Sequence, residues 1–480
     1  MNNHIYSTRI LVRYGAGVMR IDIEKIVTAV LSALLPCIGA CTGSSADEVK
    51  LGTLIVSAGA YDRSDTPVIF DCSAPDLVSE EAMMSGSRFV LVEHGSRKEI
   101  DAQWSAEAGF GWQKPGTKGE LIWLLEGMTG KGTQREFDLY LKSGNSESNR
   151  LKIEDSAGQH LLLKYLDRPV LQYNYGVVRE KAGETGPYDR SSYLHPVWTP
   201  KGQVVTGDFS PEHIHQRGIF IAWRPVKFGE VETDFWGLGE ATGRVLKDDS
   251  AIETNVGPVF AEMVIRNDGT VEDETYFKEL QVIRTYDLMS EDVWLFDIDV
   301  TQIPVDPENP EQIPTPTATM ELLQLYYGGM SYRGPSRWLR KDARDVIRSI
   351  ERGVVFGDMN WLPEDVSLDI LTREGKGRIE GDRTATGWVD FTGQLRAGWG
   401  GVAMFDHSSN LRYPTPVRIH PELPYFSWAF VQNEPYTITS DNPLTLRYRV
   451  LVHNGHPDRK MNERIAADYI DPPEVEWQPL

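Results

Sequence analysis

The stretch WLFDIDVT, residues 294–301, alternates strictly, with Trp294, Phe296, Ile298 and Val300 on one side and Asp297, Asp299 and Thr301 on the other. Side chains of an extended chain point alternately to opposite faces, so this reads as a β-strand with one buried face and one in water. Similar stretches lie on either side, at VFAEMVI (259–265), GVAMF (401–405) and TLRYRVLV (445–452). Upstream, TLIVS (53–57), RFVLVE (88–93), ELIWLL (120–125) and FDLYL (137–141) have strand length and composition, and KGTQR (131–135) reads as a turn before the last of them. Only residues 336–350 show helical spacing, through Leu339, Ala343, Val346, Ile347 and Ile350. The proline-rich PVDPENPEQIPTP (304–316) must be an exposed loop, because proline removes ladder donors. The chain therefore reads as all-β.

A chain of 480 residues exceeds what one hydrophobic core usually serves, so two domains are expected. The polar KSGNSESNRLKIED (142–155) is the best boundary. It separates a small N-terminal β-sandwich of immunoglobulin type, over 50–152, from a large two-sheet sandwich over 156–470. With 40% hydrophobic and 25% charged residues the composition is globular, which excludes disordered and fibrous classes. The net charge of −21, with no basic run to offset it, repels phosphate, so nucleic acid is not an expected partner.

The segment IVTAVLSALLPCIG (26–39) is uncharged and apolar behind Arg20 and Lys25. It is too short for a comfortable membrane span and suits a secretory signal. It runs into IGAC (38–41), which resembles the lipobox of bacterial lipoproteins, where the cysteine is lipidated and becomes the first mature residue. Residues 1–41 are accordingly expected to be a lipoprotein signal, Cys41 the lipidation site and the bacterial cell envelope the location, with membrane contact through the lipid alone. An ordinary secretory signal with a chance cysteine is the alternative. The long mixed leader points to Met19 as the start, and TGSSAD (42–47) reads as a tether. Removing residues 1–40, with four basic and two acidic side chains, leaves a charge of −23. Cys72 is then the remaining thiol, expected in the core rather than as a nucleophile.

Polar and aromatic residues crowd between 193 and 236: YLHPVWTP (193–200), EHIHQRG (212–218), AW (222–223) and DFW (234–236). In an extended segment His213 and His215 project to the same side, which suits acid–base chemistry or, with His195, a divalent metal. No cofactor is otherwise expected. Arg217 lies on that face and can hold a carboxylate or sugar hydroxyls. Trp223 and Trp236 are candidate stacking surfaces for the flat CH faces of sugar rings, with Asp234 beside them. A second cluster, FDHSSNLRYPTP (405–416), turns through Asp406, His407, Asn410 and Arg412 after a strand, and loops on rigid sheets concentrate function. A third, YYGGMSYRG (326–334), has paired glycines before Tyr332 and Arg333 and lacks any phosphate-loop lysine. The bland reading of each is a surface pair, a satisfied turn and core aromatics.

Taken together, YLHP (193–196), FSPEHIHQRGIFIAW (209–223), DFW (234–236), YGG (327–329), GWVD (387–390), the 406–416 run and LRYRVLVH (446–453) resemble the PmoA-like family of secreted bacterial proteins over roughly residues 160–460. The methane-oxygenase sense of that name does not carry over, because an integral membrane subunit needs several spans of about 20 apolar residues. The resemblance implies a galactose-mutarotase-like β-supersandwich that binds sugar on a concave sheet with His, Arg, Trp and carboxylates. Gln216 stands where many relatives have a further histidine, and Tyr326 or Tyr327 where they have a histidine or acid. The glycan reading divides into an enzyme that cleaves or isomerises a glycan, with His213, His215, Asp406 and His407 as acid–base groups, and a binder without turnover. His195, Arg217, Trp223, Asp234, Trp236, Tyr332, Arg333, Asn410 and Arg412 are the expected substrate contacts. A metal-dependent hydrolase or oxidoreductase using His195, His213 and His215 is the third possibility.

Overall fold

The alternating apolar pattern becomes sheet over more than half of the described residues. The computed structural model describes residues 11–14, 17–20, 48–73, 87–110, 118–144, 149–180, 183–184, 186–210, 213–238, 243–313, 315–339 and 368–480. The apolar leader, Cys41, the tether and the 340–350 part of the expected helix lie outside these residues; residues 336–338 form one 3-10 turn. β1 (Leu11–Tyr14) and β2 (Gly17–Arg20) pair as an antiparallel hairpin. Residues 48–480 form a separate compact unit, described by itself below.

That unit opens with β3 (Glu48–Ser57), β4 (Arg63–Ser73), β5 (Ser87–Glu93), β6 (Glu99–Ala106), β7 (Lys118–Thr129) and β8 (Gln134–Ser143). Next come β9 (Leu151–Ser156), β10 (His160–Tyr165), β11 (Arg168–Asn174), β12 (Tyr193–Val197), β13 (Ile219–Ala222), β14 (Val226–Phe228) and β15 (Val231–Thr233). The long strands are β16 (Gly243–Val256), β17 (Phe260–Val271), β18 (Glu274–Tyr286) and β19 (Val293–Pro304), followed by β20 (Thr319–Leu322), β21 (Gly329–Arg333) and β22 (Leu368–Thr372). A single helical turn, α1 (Arg378–Gly381), precedes β23 (Trp388–Leu395), β24 (Gly398–Asp406), β25 (Val417–Ile419), β26 (Tyr425–Trp428), β27 (Tyr436–Thr439) and β28 (Leu444–Asn454). Helix α2 (Arg459–Ile470) and strand β29 (Glu474–Pro479) complete the chain.

Among the described residues all the ladders are antiparallel. A seven-stranded sheet runs β29-β3-β8-β5-β6-β7-β4, and Leu54, Val68, Leu91, Trp123 and Phe137 from across its width share one core, so the sheet curls around its own interior. Its seventh strand comes from the far end of the chain, beyond the 156–470 boundary drawn from sequence. Two eight-stranded sheets form the large sandwich: a middle sheet, β16-β17-β18-β19-β28-β24-β23-β22, and an outer sheet, β25-β26-β21-β13-β12-β11-β10-β9. A four-stranded sheet, β15-β14-β20-β27, packs into the same core through Val226, Met320 and Ile438.

Trp294, Phe296, Ile298 and Val300 on β19 meet Leu194, Ile219, Tyr332 and Phe426 of the outer sheet in that core. The opposite face of β19 is not simply wet. Leu295 packs with Ile122 and Leu124 of β7 and with Ile465 and Tyr469 of α2, so the middle sheet is covered on both sides. Asp297 is buried there and accepts hydrogen bonds from Arg449 Nε at 2.7 Å, Arg449 Nη2 at 2.9 Å and the Tyr286 hydroxyl at 2.7 Å. A buried carboxylate is tolerable only with such partners.

Helix α2 escapes a reading for apolar periodicity because its buried face is partly polar. Asn462 donates to Asp390 at 2.8 Å, and Asp468 accepts from Arg63 at 3.0 Å and from Thr66 at 2.9 Å. Asp458 caps its start, accepting from the backbone N–H groups of Lys460 and Met461. Cys72 is half-buried against the core of the curled sheet.

Candidate functional site

Register decides which side chains of the outer sheet meet the core and which leave it. One cross-strand row is Leu194, Ile219, Tyr332, Phe426 and Ile419, all in the sandwich interior. The adjacent row, Tyr193, Phe220, Ser331, Ser427 and Arg418, points the other way, and Arg333 and Tyr425 stand opposite each other one step along that face. On it Tyr193, Phe220, Ala222, Trp236, Leu423 and Tyr425 make a second apolar layer, with Tyr327 against it.

Three imidazoles gather over this layer. His213 lies 5.6 Å from His215 and 5.9 Å from His420, centroid to centroid and edge on, and His215 is 6.5 Å from Trp236. The 213–216 segment is a turn, not the extended strand expected: His213 N–H donates to Ser210 O and Gln216 N–H to His213 O, both at 3.0 Å. The two rings meet because the turn folds them together. Gly218, at φ +53°, ends the turn where a β-carbon would collide with the Leu194 carbonyl oxygen, so only glycine lets the chain enter β13 here. Gly329, at φ +83°, is pressed likewise against the Trp428 carbonyl and the Trp223 ring. The paired glycines thus serve the protein's own packing.

Burial holds all three imidazoles neutral near pH 7. It pushes His213 down to about 4. It pushes His215 down to about 3, helped by His213, Arg190 and Arg224, and His420 to about 3, helped by Arg418, His213, Arg333 and Arg378. His420 Nδ1 accepts from the N–H groups of Glu422 at 3.1 Å and Leu423 at 3.0 Å, which fixes its proton on Nε2. His213 Nδ1 is buried without a hydrogen-bond partner. That leaves the nitrogen free to accept a hydrogen bond from a ligand or a water. The phenol of Tyr327, beside Trp236 at 5.3 Å, is pushed up by burial and stays protonated.

Several expected contacts are placed elsewhere. Trp223 and Tyr332 lie in the sandwich interior, where Trp223 Nε1 donates to Gln302 at 2.8 Å and the Tyr332 hydroxyl to Val205 O at 2.5 Å. Neither can touch a ligand on the outer face. Trp236 is on that face but only 1% exposed, beneath His215 and Tyr327, so it forms the floor. Arg217 is fully buried, paired with Asp208, and donates to the Tyr193 hydroxyl at 2.7 Å and Tyr188 O at 3.2 Å, so it positions the turn. Arg333 is equally buried and donates to Gln216 at 2.9 Å. Asp234 accepts from the N–H groups of Trp236 and Gly237 and pairs with Arg224 at 3.1 Å, which makes it the anchor of the floor.

The Asp406 cluster does not join the imidazoles. Asp406 ends β24 of the middle sheet, and its carboxylate accepts from Asn410 at 2.7 Å, Thr415 N–H at 2.8 Å and His407 N–H at 3.1 Å. Burial, outweighing these hydrogen bonds, raises it to about 6. His407 packs 4.8 Å from Tyr469 of α2 and meets Ser409 at 2.7 Å, and burial pushes it down to about 4. Asn410 also donates to Arg447 O at 2.7 Å, and Arg412 is spent on the carbonyls of Phe430, Glu434 and Pro435. This constellation is a satisfied turn. His195 meets Thr206 at 2.9 Å rather than the other histidines. Among the described residues no group of three or more His, Cys, Asp or Glu is arranged to hold a metal ion.

Sequence reasoning missed His420, Tyr425, Arg190, Arg224, Arg383 and Arg418, and noted Tyr326 and Tyr327 only for the glycines beside them and as a departure from the family pattern. No local motif marks these residues. They converge through the strand order β25-β26-β21-β13, which brings residues near 420 beside residues near 220.

The same region carries the match to known sequences: residues 160–467 fit the model of a family of unknown function, DUF6807. No curated protein matches the chain.

Proposed function

We propose that this chain, which belongs to the DUF6807 family, is a carbohydrate-active protein of the bacterial cell envelope whose site is the His213, His215 and His420 face of the outer sheet. One observation carries the reading: three neutral imidazoles stand over an aromatic floor, with a protonated phenol, Tyr327, at its edge. Aromatic rings suit the apolar faces of sugars, and imidazole nitrogens suit their hydroxyls. The resemblance to PmoA-like and mutarotase-like proteins points to the same ligand class. At pH 7 the neutral imidazoles offer a lone pair to a sugar hydroxyl and Tyr327 offers its proton, so these groups can serve as a weak base and a weak acid during cleavage or isomerisation. Asp406 and His407 take no part. A binder without turnover is the second reading, favoured by the fact that no described carboxylate contacts the three imidazoles.

Calorimetric titration of sugars, followed by turnover assays on those that bind, tests both. His213→Ala and Tyr327→Ala are each expected to lower turnover by about 10²–10⁴ with the fold intact, as for loss of a general acid or base. If a bound sugar is left unchanged by the wild type, the binder reading stands; if no sugar binds, both fall. The envelope location has its own test. Cys41→Ser should shift the protein from the membrane to the soluble fraction, since a multiply acylated cysteine anchors stably where the protein surface does not. Unaltered membrane association rules the anchor out.

A further inference from the structure

The imidazole face continues outward as a line of rings. Phe220, Trp236, Tyr327 and Tyr326 follow one another with centroid separations of 5.1, 5.3 and 5.0 Å. The first two are buried, Tyr327 is half-buried, and Tyr326 is 37% exposed, so the line climbs from the floor to the surface. A guanidinium lies over three of the four rings. Arg190 is 4.4 Å from Phe220 and Arg224 6.0 Å from Tyr327, while Arg383 and Arg418 lie 4.2 and 5.3 Å from Tyr326.

In a chain of net charge −21 this is a local excess of cations. Three carboxylates face these four arginines, Glu279 acting on Arg190 without a hydrogen bond and Asp234 and Asp382 forming ion pairs. Asp234 pairs with Arg224 at 3.1 Å, and Asp382 pairs with Arg418 at 2.5 Å, leaving Arg383 at a loose 3.8 Å from the same Asp382. Arg190 is buried with Nε and Nη1 lacking any hydrogen-bond partner, and its one hydrogen bond goes from Nη2 to Ile221 O at 3.3 Å. The buried Glu279 carboxylate favours the charge of Arg190 without hydrogen-bonding it, so the field of this desolvated guanidinium is only partly offset. That field reaches the imidazoles, since Arg190 and Arg224 add to the burial that depresses His215. The side chains of Arg224 and Arg383 remain 38% and 54% exposed, open to a ligand.

We infer that the ligand of this site is an anionic glycan, a saccharide bearing carboxylate or sulfate groups, stacked on Tyr326 and Tyr327 with its anionic oxygens held by Arg224 and Arg383. This rests on the glycan reading above and adds its charge. Planar guanidinium forks match carboxylate and sulfate oxygens, and the tyrosine rings match the sugar between them. Arg190 supplies attraction from beneath without touching the ligand.

The test is calorimetry of the full chain against polygalacturonate and alginate as uronates, chondroitin sulfate and carrageenan as sulfated glycans, and dextran, xylan and galactan as neutral ones. At least one charged glycan should bind more tightly than every neutral one, with affinity falling as salt is raised. Which charged set binds separates carboxylate from sulfate. Arg383→Gln should weaken that binding about tenfold, the size of one charge-assisted contact, and Arg383→Lys less. Neutral-glycan binding should fall less than charged-glycan binding, and an unaltered melting temperature certifies the fold. Equal or tighter binding of neutral glycans, or indifference to Arg383→Gln, overturns the inference and leaves the glycan reading in place. Binding of no glycan removes both.

Discussion

Below pH 6.5 the His420→Gln variant is expected to outlast the wild type, with a stability difference that grows by about 3 kcal/mol as the pH falls to 4. The cause is the depth of the imidazole face. An unfolded histidine takes its proton near pH 6.5, whereas burial holds folded His420 down to about 3, with His213 and His215 at about 4 and 3. Across that window the unfolded chain binds more protons than the native one, so each imidazole's contribution is complete above pH 6.5 and is lost as pH falls toward its folded value. Asp406 works in the opposite sense. Its carboxyl is raised by burial to about 6, so it favours the folded state below pH 4 and loses that contribution as pH rises through 6. The wild-type curve alone therefore mixes the two, and the difference between wild type and variant isolates the histidine. Glutamine retains an acceptor for the backbone N–H groups of Glu422 and Leu423 that His420 Nδ1 now serves. Urea midpoints measured from pH 4 to 8 decide the matter: parallel curves for the two proteins refute the buried-imidazole account.

Gly218→Ala should be among the most damaging single changes in the chain, by about 3–5 kcal/mol. Two effects add. Alanine at φ +53° is strained, and its methyl group would drive into the Leu194 carbonyl and the His195 side chain. Neither obstacle is the loose end of a side chain. Leu194 is paired with Ile219 in the β12–β13 ladder, and Gly218 itself donates to Gly207 O at 2.7 Å and accepts from Arg333 N–H at 2.7 Å. Relief requires separating β12 from β13, which also carry Tyr193 and Phe220 beneath the imidazoles. Loss of sugar binding should accompany the loss of stability, read by urea denaturation and calorimetry on the same preparation. A stable variant with intact binding would show that the turn has slack these contacts deny.

The strands were legible because period two is a local property. The 294–301 stretch, β7 and β8 can be read from their own residues, and the all-β class follows. What covers each face is not local. The Asp297 side of β19 reads as wet, yet β7 and α2 lie over it, and only the distant Arg449, with Tyr286, explains how a carboxylate is held there. The candidate site divides along the same line. His213 and His215 were found because they are two residues apart, although a turn rather than a strand brings them together. Asp406, His407, Asn410 and Arg412 looked equally promising, since a turn satisfied by its own side chains has the composition of a polar site. Tyr332 and Arg333 are neighbours in sequence, but the pleat sends one into the core and the other to the outer face.

The pairing of β29 with β3 fixes when this protein can finish folding. Glu474–Pro479 lies in register with 52–57, so the seven-stranded sheet lacks an edge until residues more than 400 positions further along have been made. Closing a loop of that length is slow, and until it closes Gly52–Ser57 shows an unpaired flank to any other extended segment. A chain cut before Glu474 would retain every residue of the imidazole face and still present a bare strand, ready to aggregate edge to edge.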